Sequence, residues 1–216
     1  MRTITVKGVG TASTPPDLTV ISLSIIEKAL EYVGCINGAN ERIRKLHTAI
    51  TAVGFESDDL KTLSFDARTN YENYRDGDGI YKSKFAGYVC EYRLKLSMDF
   101  DNARLTKTLE AIAASGANAE QSIAFTVKEP EKVSARLLKA ATENAREKAE
   151  VLCAASGVTL GELVNIEYNW NDISILSVSH YERARGVEAV PLAATPDFTP
   201  DDIKSSDTAT FIWEIK

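Results

Sequence analysis

The residues that could do chemistry are few. Among 216 residues there are three cysteines, Cys35, Cys90 and Cys153, and two histidines, His47 and His180. A nucleophilic or redox-active cysteine needs an accessible, electropositive setting that favours the thiolate. Cys90 stands instead in Tyr88-Val89-Cys90-Glu91-Tyr92, beside an acid. An odd count without CxxC spacing points away from a disulfide framework or a zinc ribbon, and no HExxH accompanies either histidine. Three reduced thiols are expected, as in a cytoplasmic protein. Asp76 and Asp78 begin like a calcium loop. Its later ligand positions and its glycine, however, fall on Ile80, Tyr81 and Gly87, so Asp76-Gly77-Asp78-Gly79 reads as a turn. Gly8-Val9-Gly10 lacks the helix that a dinucleotide loop must open and is read as a break in a strand. There is no GxSxG elbow and no GxxxxGK[ST] loop. No catalytic, metal-binding or cofactor-binding residue is assigned, and no cofactor is expected.

What remains is contact chemistry. Aromatic and arginine side chains make up the energetic centres of protein interfaces. Trp170, His180, Tyr181, Arg183 and Arg185 fall in one such tract, and Trp213 lies near the C-terminus. These six are the candidate partner or assembly contacts. A final strand carrying Trp213 and Ile215 is a candidate pairing edge. Phe85 to Tyr92 lacks the basic residue and the aromatic spacing of a base-stacking strand, and reads as cross-strand packing.

The elements that must position these residues follow from periodicity. Ile4 and Val6 alternate with polar residues, and Leu18 to Ala29 is a second β-rich run behind Pro15-Pro16. Ile36, Ala39, Ile43, Leu46, Ile50 and Val53 make one helical stripe ended by Gly54. Leu60 to Tyr71 and Ile80 to Met98 are the arms of a long hairpin, with a bulge expected at Gly87. A helix from about Asp101 to Ser115 buries Leu105, Leu109, Ile112 and Ala113, with Asp99 or Asp101 as its cap. After the strand Ser122 to Val127, Pro130 opens the longest helix. Its face is Val133, Leu137, Ala141, Ala145, Ala149 and Leu152. Leu160 to Tyr168 and Ala209 to Ile215 close the set. The order β-β-α-β-β-α-β-α-β-loop-β predicts an α+β fold: largely antiparallel sheet layers covered by three helices. The chain reads as one unit over 1–216. It is divisible into subdomains at about 1–75 with 205–216 and about 80–170, with 171–204 a long irregular segment.

Composition agrees with a folded globular chain: 44% hydrophobic, 26% charged. Acids exceed bases by 31 to 25, for a net charge of −6, which works against a uniform nucleic-acid surface. The N-terminus shows no charged segment leading into an apolar run, and Leu18 to Ile26 is too short to span a bilayer. A cytoplasmic location without membrane insertion is expected.

Several landmarks together resemble one family. They are Ile4-Thr5-Val6-Lys7-Gly8-Val9-Gly10 followed by Pro16-Asp17-Leu18, and Gly54 followed by Asp59-Leu60-Lys61-Thr62-Leu63-Ser64-Phe65. To these add Ala145-Arg146-Glu147-Lys148-Ala149-Glu150, Ala155-Ser156-Gly157-Val158, Leu160-Gly161, and Thr208-Ala209-Thr210-Phe211. Across essentially the whole chain the pattern is similar to the SIMPL domain family. That family includes periplasmic immunogenic and oxidative-stress-defence proteins of Gram-negative bacteria, and a eukaryotic kinase-associated relative. The resemblance implies an α+β fold able to assemble into large rings, a homo-oligomer as the principal partner, and a possible tie to stress. It carries over no catalytic residue. Without a leader, this chain looks more like cytoplasmic members from Gram-positive anaerobes. The expected function is therefore a self-assembling, non-enzymatic SIMPL-domain protein. The alternatives are a thiol-dependent or other enzyme and a nucleic-acid-binding module.

Overall fold

The computed structural model describes residues 2–75, 77, 79–169, 176–179 and 198–216. Its elements are β1 (Thr3–Thr14), β2 (Leu18–Ala29), α1 (Tyr32–Ala52), β3 (Leu60–Arg75), β4 (Tyr81–Asp99), α2 (Asn102–Ala114), β5 (Glu120–Thr126), α3 (Pro130–Ala155), β6 (Leu160–Tyr168), β7 (Leu176–Ser179) and β8 (Ile203–Ile215). The fold is α+β, as the sequence predicts. One sheet has the order β1-β8-β6 and the other β3-β4-β2-β5-β7. Four strand pairs, β1 with β8, β6 with β8, β2 with β4 and β3 with β4, are antiparallel.

The chain divides into two compact units, but not at the boundaries read from the sequence. The first unit is Met1–Asp17, Thr126–Ser177 and Pro200–Lys216; the second is Leu18–Phe125 and Val178–Thr199. The expected cut near residue 75–80 would part the two arms of a hairpin. Those arms are joined rung by rung from Leu60↔Leu96 to Arg75↔Tyr81, so they stay in one unit. The expected irregular segment 171–204 lies mostly outside the described residues. Within it, β7 spans Leu176–Ser179 and β8 already begins at Ile203.

In the first unit, β1 runs unbroken through Gly8-Val9-Gly10, which corrects the reading of these glycines as a break. Their role is close approach. A Cβ on Gly8 would overlap the Ala141 carbonyl oxygen, and one on Gly10 the Leu137 carbonyl oxygen. The buried row of α3 is Val133, Leu137, Ala141, Ala145, Ala149 and Cys153. Four helical residues rise about 6 Å and two strand residues about 6.6 Å, so the two rows can keep step. Small side chains on both let the backbones touch. Leu152, assigned to this face from the sequence, is 50% exposed and Cys153 takes the place. The strict four-residue step runs obliquely to the helix axis and passes Leu152 by. The other core of this unit is Val6, Ala209, Phe211 and Trp213 with Ala145 and Ala149.

In the second unit, Ile21, Leu23 and Ile25 of β2, Leu94, Leu96 and Met98 of β4 and Ile123 and Phe125 of β5 share one core with Leu46 and Ile50 of α1 and Leu105 and Ile112 of α2. Asp101 caps α2 by accepting from the Arg104 N–H at 2.9 Å. Thr108, rather than Ala113, completes the buried face of α2; its hydroxyl donates back to the Arg104 carbonyl at 2.7 Å. Arg42 ties α1 to its neighbours. Its guanidinium donates to the carbonyls of Ala117 (2.6 Å), Ile26 (2.7 Å) and Asn118 (2.7 Å) and to the Glu27 carboxylate (3.0 Å).

Candidate assembly surface

The arm formed by β3 and the first half of β4 is exposed along nearly its whole length. Nearly every β3 residue after Leu60 is exposed or half-buried, and β3 is a terminal strand of its sheet. Among the described residues, one edge of its backbone therefore has no strand partner, a ready template for another chain. The expected bulge is present: Asn70 pairs with Gly87 but Tyr71 with Phe85, which leaves Ala86 unpaired. Gly87 carries φ +107, and a Cβ there would overlap the Ala29 carbonyl oxygen.

The bulge restores the aromatic residues to one face. Phe65 packs on its rung partner Tyr92 at 4.6 Å between ring centroids, and Tyr71 on its partner Phe85 at 5.9 Å. Phe85 meets Tyr88 at 5.5 Å, and Tyr88 meets Tyr32 of α1 at 5.6 Å. This is the cross-strand packing that the sequence predicts. The row is only partly covered: Tyr32, Phe65, Tyr71, Tyr81 and Phe85 are all exposed, together with Leu30 and Val33. On the opposite face, the like-charged rung Asp66↔Glu91 is bridged by arginines. Arg68 lies 2.7 Å from Asp66 and 3.5 Å from Glu91, and Arg93 lies 3.0 Å from Glu91. The hydrogen bond with Asp66, with Glu91 behind it, holds the Arg68 guanidinium above its ordinary pKa.

The sequence-derived contact residues divide sharply. Trp170, His180, Tyr181, Arg183 and Arg185 lie outside the described residues. Trp213 is 7% exposed and stacks on Phe211 at 5.4 Å, so it is a core residue of the first unit and not an offered contact. The C-terminal strand is not an edge either, because β8 pairs with β1 on one side and β6 on the other. An alternating strand is the same from sequence whether it ends a sheet or sits in its middle. The long hairpin, which the sequence also offers as a ground for self-association, carries exposed Phe65, Tyr71, Tyr81 and Phe85, none of which is among the six contact residues named from the sequence.

The other candidates for chemistry are quiet. All three cysteines are buried. Burial, followed by the neighbouring Cys35 thiol, pushes Cys90 up to about 12, the reverse of an activated nucleophile. His47 is half-buried on α1, with its Nδ1 3.5 Å from the Ser57 hydroxyl. A shallow hollow of about 530 Å³ lies between α1 and the end of α2, lined by Glu41, Arg44, Lys45, Thr48, Ala49, Ala52 and Ser115. Among the described residues, no three histidine, cysteine or acidic side chains gather as a metal would need. No helix among them is long and apolar enough to cross a membrane.

The SIMPL family model, described as a protein of unknown function (DUF541), matches residues 4–213. The chain belongs to the SIMPL family. Two relatives show how widely the family pattern is spread. The 26 kDa periplasmic immunogenic protein of Brucella abortus (strain S19) is 27% identical over 194 residues, 90% of this chain and 75% of that protein. The uncharacterized protein YggE of Escherichia coli (strain K12) is 22% identical over 213 residues, 99% of this chain and 83% of that protein. The SIMPL match extends from β1 to β8 and so takes in both units.

Proposed function

We propose that this SIMPL protein is a self-associating building block whose contact surface is the β3–β4 hairpin. One observation carries the reading. The same arm presents an edge strand that has no strand partner among the described residues and a row of large exposed side chains, Phe65, Tyr71, Tyr81 and Phe85, along one face. Covering the rings supplies the apolar driving force, roughly 25 cal/mol per Å² buried. The open edge supplies direction and register through backbone hydrogen bonds. A second copy of the chain is the partner in this reading, because it brings the same edge and the same rings to a symmetric contact. The reading also places the chain in the cytoplasm, on the support of three unpaired cysteines. A thiol enzyme loses its ground to the burial and raised pKa of Cys90. Multi-angle light scattering at micromolar concentration tests the reading. The expected result is a discrete multiple of the chain mass, and a strict monomer refutes it.

A further inference from the structure

Two of the cysteines are neighbours. Cys35 is on the first turn of α1, Cys90 is on β4, and with Ala39 they form one buried cluster. Both are 0% exposed. The Cys35 sulfur lies 3.2 Å from the Glu27 carbonyl oxygen and 3.5 Å from the Tyr88 carbonyl oxygen. Glu27 is the direct rung partner of Cys90 across β2 and β4. The Cys35 sulfur thus hangs over the rung from which Cys90 rises. Cys90 also shares the parity of Leu94, Leu96 and Met98, the helix-facing side of β4. The Cys35 thiol is near enough to help push the Cys90 pKa up. Cys153, in the other unit, has no part in the cluster.

We propose that Cys35 and Cys90 are a latent disulfide site, closed by a peroxide-class oxidant, that staples the first turn of α1 to β4. The reaction balances in two steps. A Cys35 thiol and hydrogen peroxide give a Cys35 sulfenic acid and water. The Cys90 sulfur then attacks the Cys35 sulfur; the S–S bond forms, the S–O bond breaks, and the leaving hydroxide takes the Cys90 proton as a second water. Both sulfurs are oxidised and the peroxide is reduced. Cys35 is the first to react because it sits on the first turn of α1, the element whose opening admits the oxidant. The pair is shielded in the closed state, so the oxidant enters when the first turn of α1 opens. The site reports local opening rather than acting as an exposed sensor. The staple falls beside Tyr32 and Tyr88, at the root of the aromatic row.

The test treats the full chain with hydrogen peroxide, alkylates it in denaturant and weighs it. The expected product is an intramolecular disulfide: about 2 Da lost, one thiol left to alkylate, and a Cys35–Cys90 linked peptide. The first two readings are taken on the wild type. Cys153→Ser keeps the bridge, whereas Cys35→Ser and Cys90→Ser each abolish it. Low, non-denaturing urea speeds its formation. Three alkylatable thiols after exhaustive oxidation, overoxidised single cysteines, a bridge to Cys153 or a disulfide-linked dimer would each overturn the proposal. A wild-type mass unchanged while urea plainly loosens α1, measured by hydrogen exchange, would do so as well.

Discussion

Each unit has a long strand at the end of its sheet, and the two are treated in opposite ways. In the first unit β1 lies under α3, and two helix side chains reach its outer backbone. The Asn144 amide oxygen accepts from the Val9 N–H at 3.1 Å, and the Lys148 ammonium donates to the Lys7 carbonyl at 3.2 Å. In the second unit β3 extends over 16 residues, and its burial pattern is exposed almost throughout. Edge strands are a liability that soluble proteins usually cover or charge. Here one edge is partly met by two hydrogen bonds from helix side chains, and the other has no strand beside it among the described residues and lies next to aromatic rings. The contrast separates an edge that the fold partly satisfies for itself from an edge that fits the proposed use between molecules.

The closed edge depends on backbone contact, so it should break hardest. Gly10→Ala places a methyl group onto the Leu137 carbonyl, and the helix must move or the strand must bend. We expect a loss of about 3 kcal/mol or more, read from the urea midpoint. Gly77→Ala at the hairpin tip, with open space around the added methyl, is the matched control and should shift stability by less than about 0.5 kcal/mol. Equal effects would dissolve the contrast.

The next largest effect belongs to Arg42, which anchors the helical side of the second unit. Arg42→Met keeps the aliphatic stem and removes the donors, leaving the carbonyls of Ile26, Ala117 and Asn118 and the Glu27 carboxylate without this partner. A loss of about 2 to 3 kcal/mol is expected. The hairpin should loosen less than α1, a difference that hydrogen exchange resolves. Uniform loosening would show that the open arm has no independence from its base.

These particulars also show what the sequence could reveal. The alternation of Ile21, Leu23 and Ile25 and the spacing of Ala39, Leu46 and Ile50 were legible because burial on one face writes a period into the chain. The start of α1 was not, because Tyr32 and Val33 are exposed and leave the apolar stripe silent until Cys35. Gly8 and Gly10 look the same in a turn and under a helix; only the partner, more than a hundred residues away, decides. Trp213 misled for a related reason. Its aromatic type suggests a contact, but whether the surface it meets belongs to Phe211 or to another molecule is a fact of sheet order. Legibility failed where a residue's role is set by a distant neighbour.

A smaller effect tests whether the far side of the first sheet is as well finished as the β1 side. Tyr168 on β6 donates to the Asp207 carboxylate of β8 at 2.8 Å. That hydrogen bond, followed by burial, raises the Tyr168 pKa above its ordinary value of 10.0. A raised folded-state value means that the stabilising contribution is fully present below the ordinary tyrosine range and is lost as pH rises through the elevated value. Tyr168→Phe should therefore remove an alkaline loss of stability without altering the neutral-pH fold. An absorbance titration in which Tyr168 ionises with the exposed tyrosines would contradict this.

The smallest expected change in stability is also the most direct test of the open edge. Tyr71 and Phe85 pack on each other, yet both are exposed, 58% and 44%. Replacing both with lysine gives up the Tyr71–Phe85 cross-strand pair, worth roughly 0.2 to 1 kcal/mol, and the Phe85–Tyr88 edge contact, and leaves every buried side chain in place. The same change puts two like charges on the aromatic row, and a symmetric contact between two copies would have to bury four of them. Light scattering should then show the mass of a single chain while the urea midpoint barely moves. Loss of association together with a large loss of stability would mean that the rings serve the fold. Unchanged association would place the contact elsewhere on the molecule and remove β3 and β4 from the assembly surface.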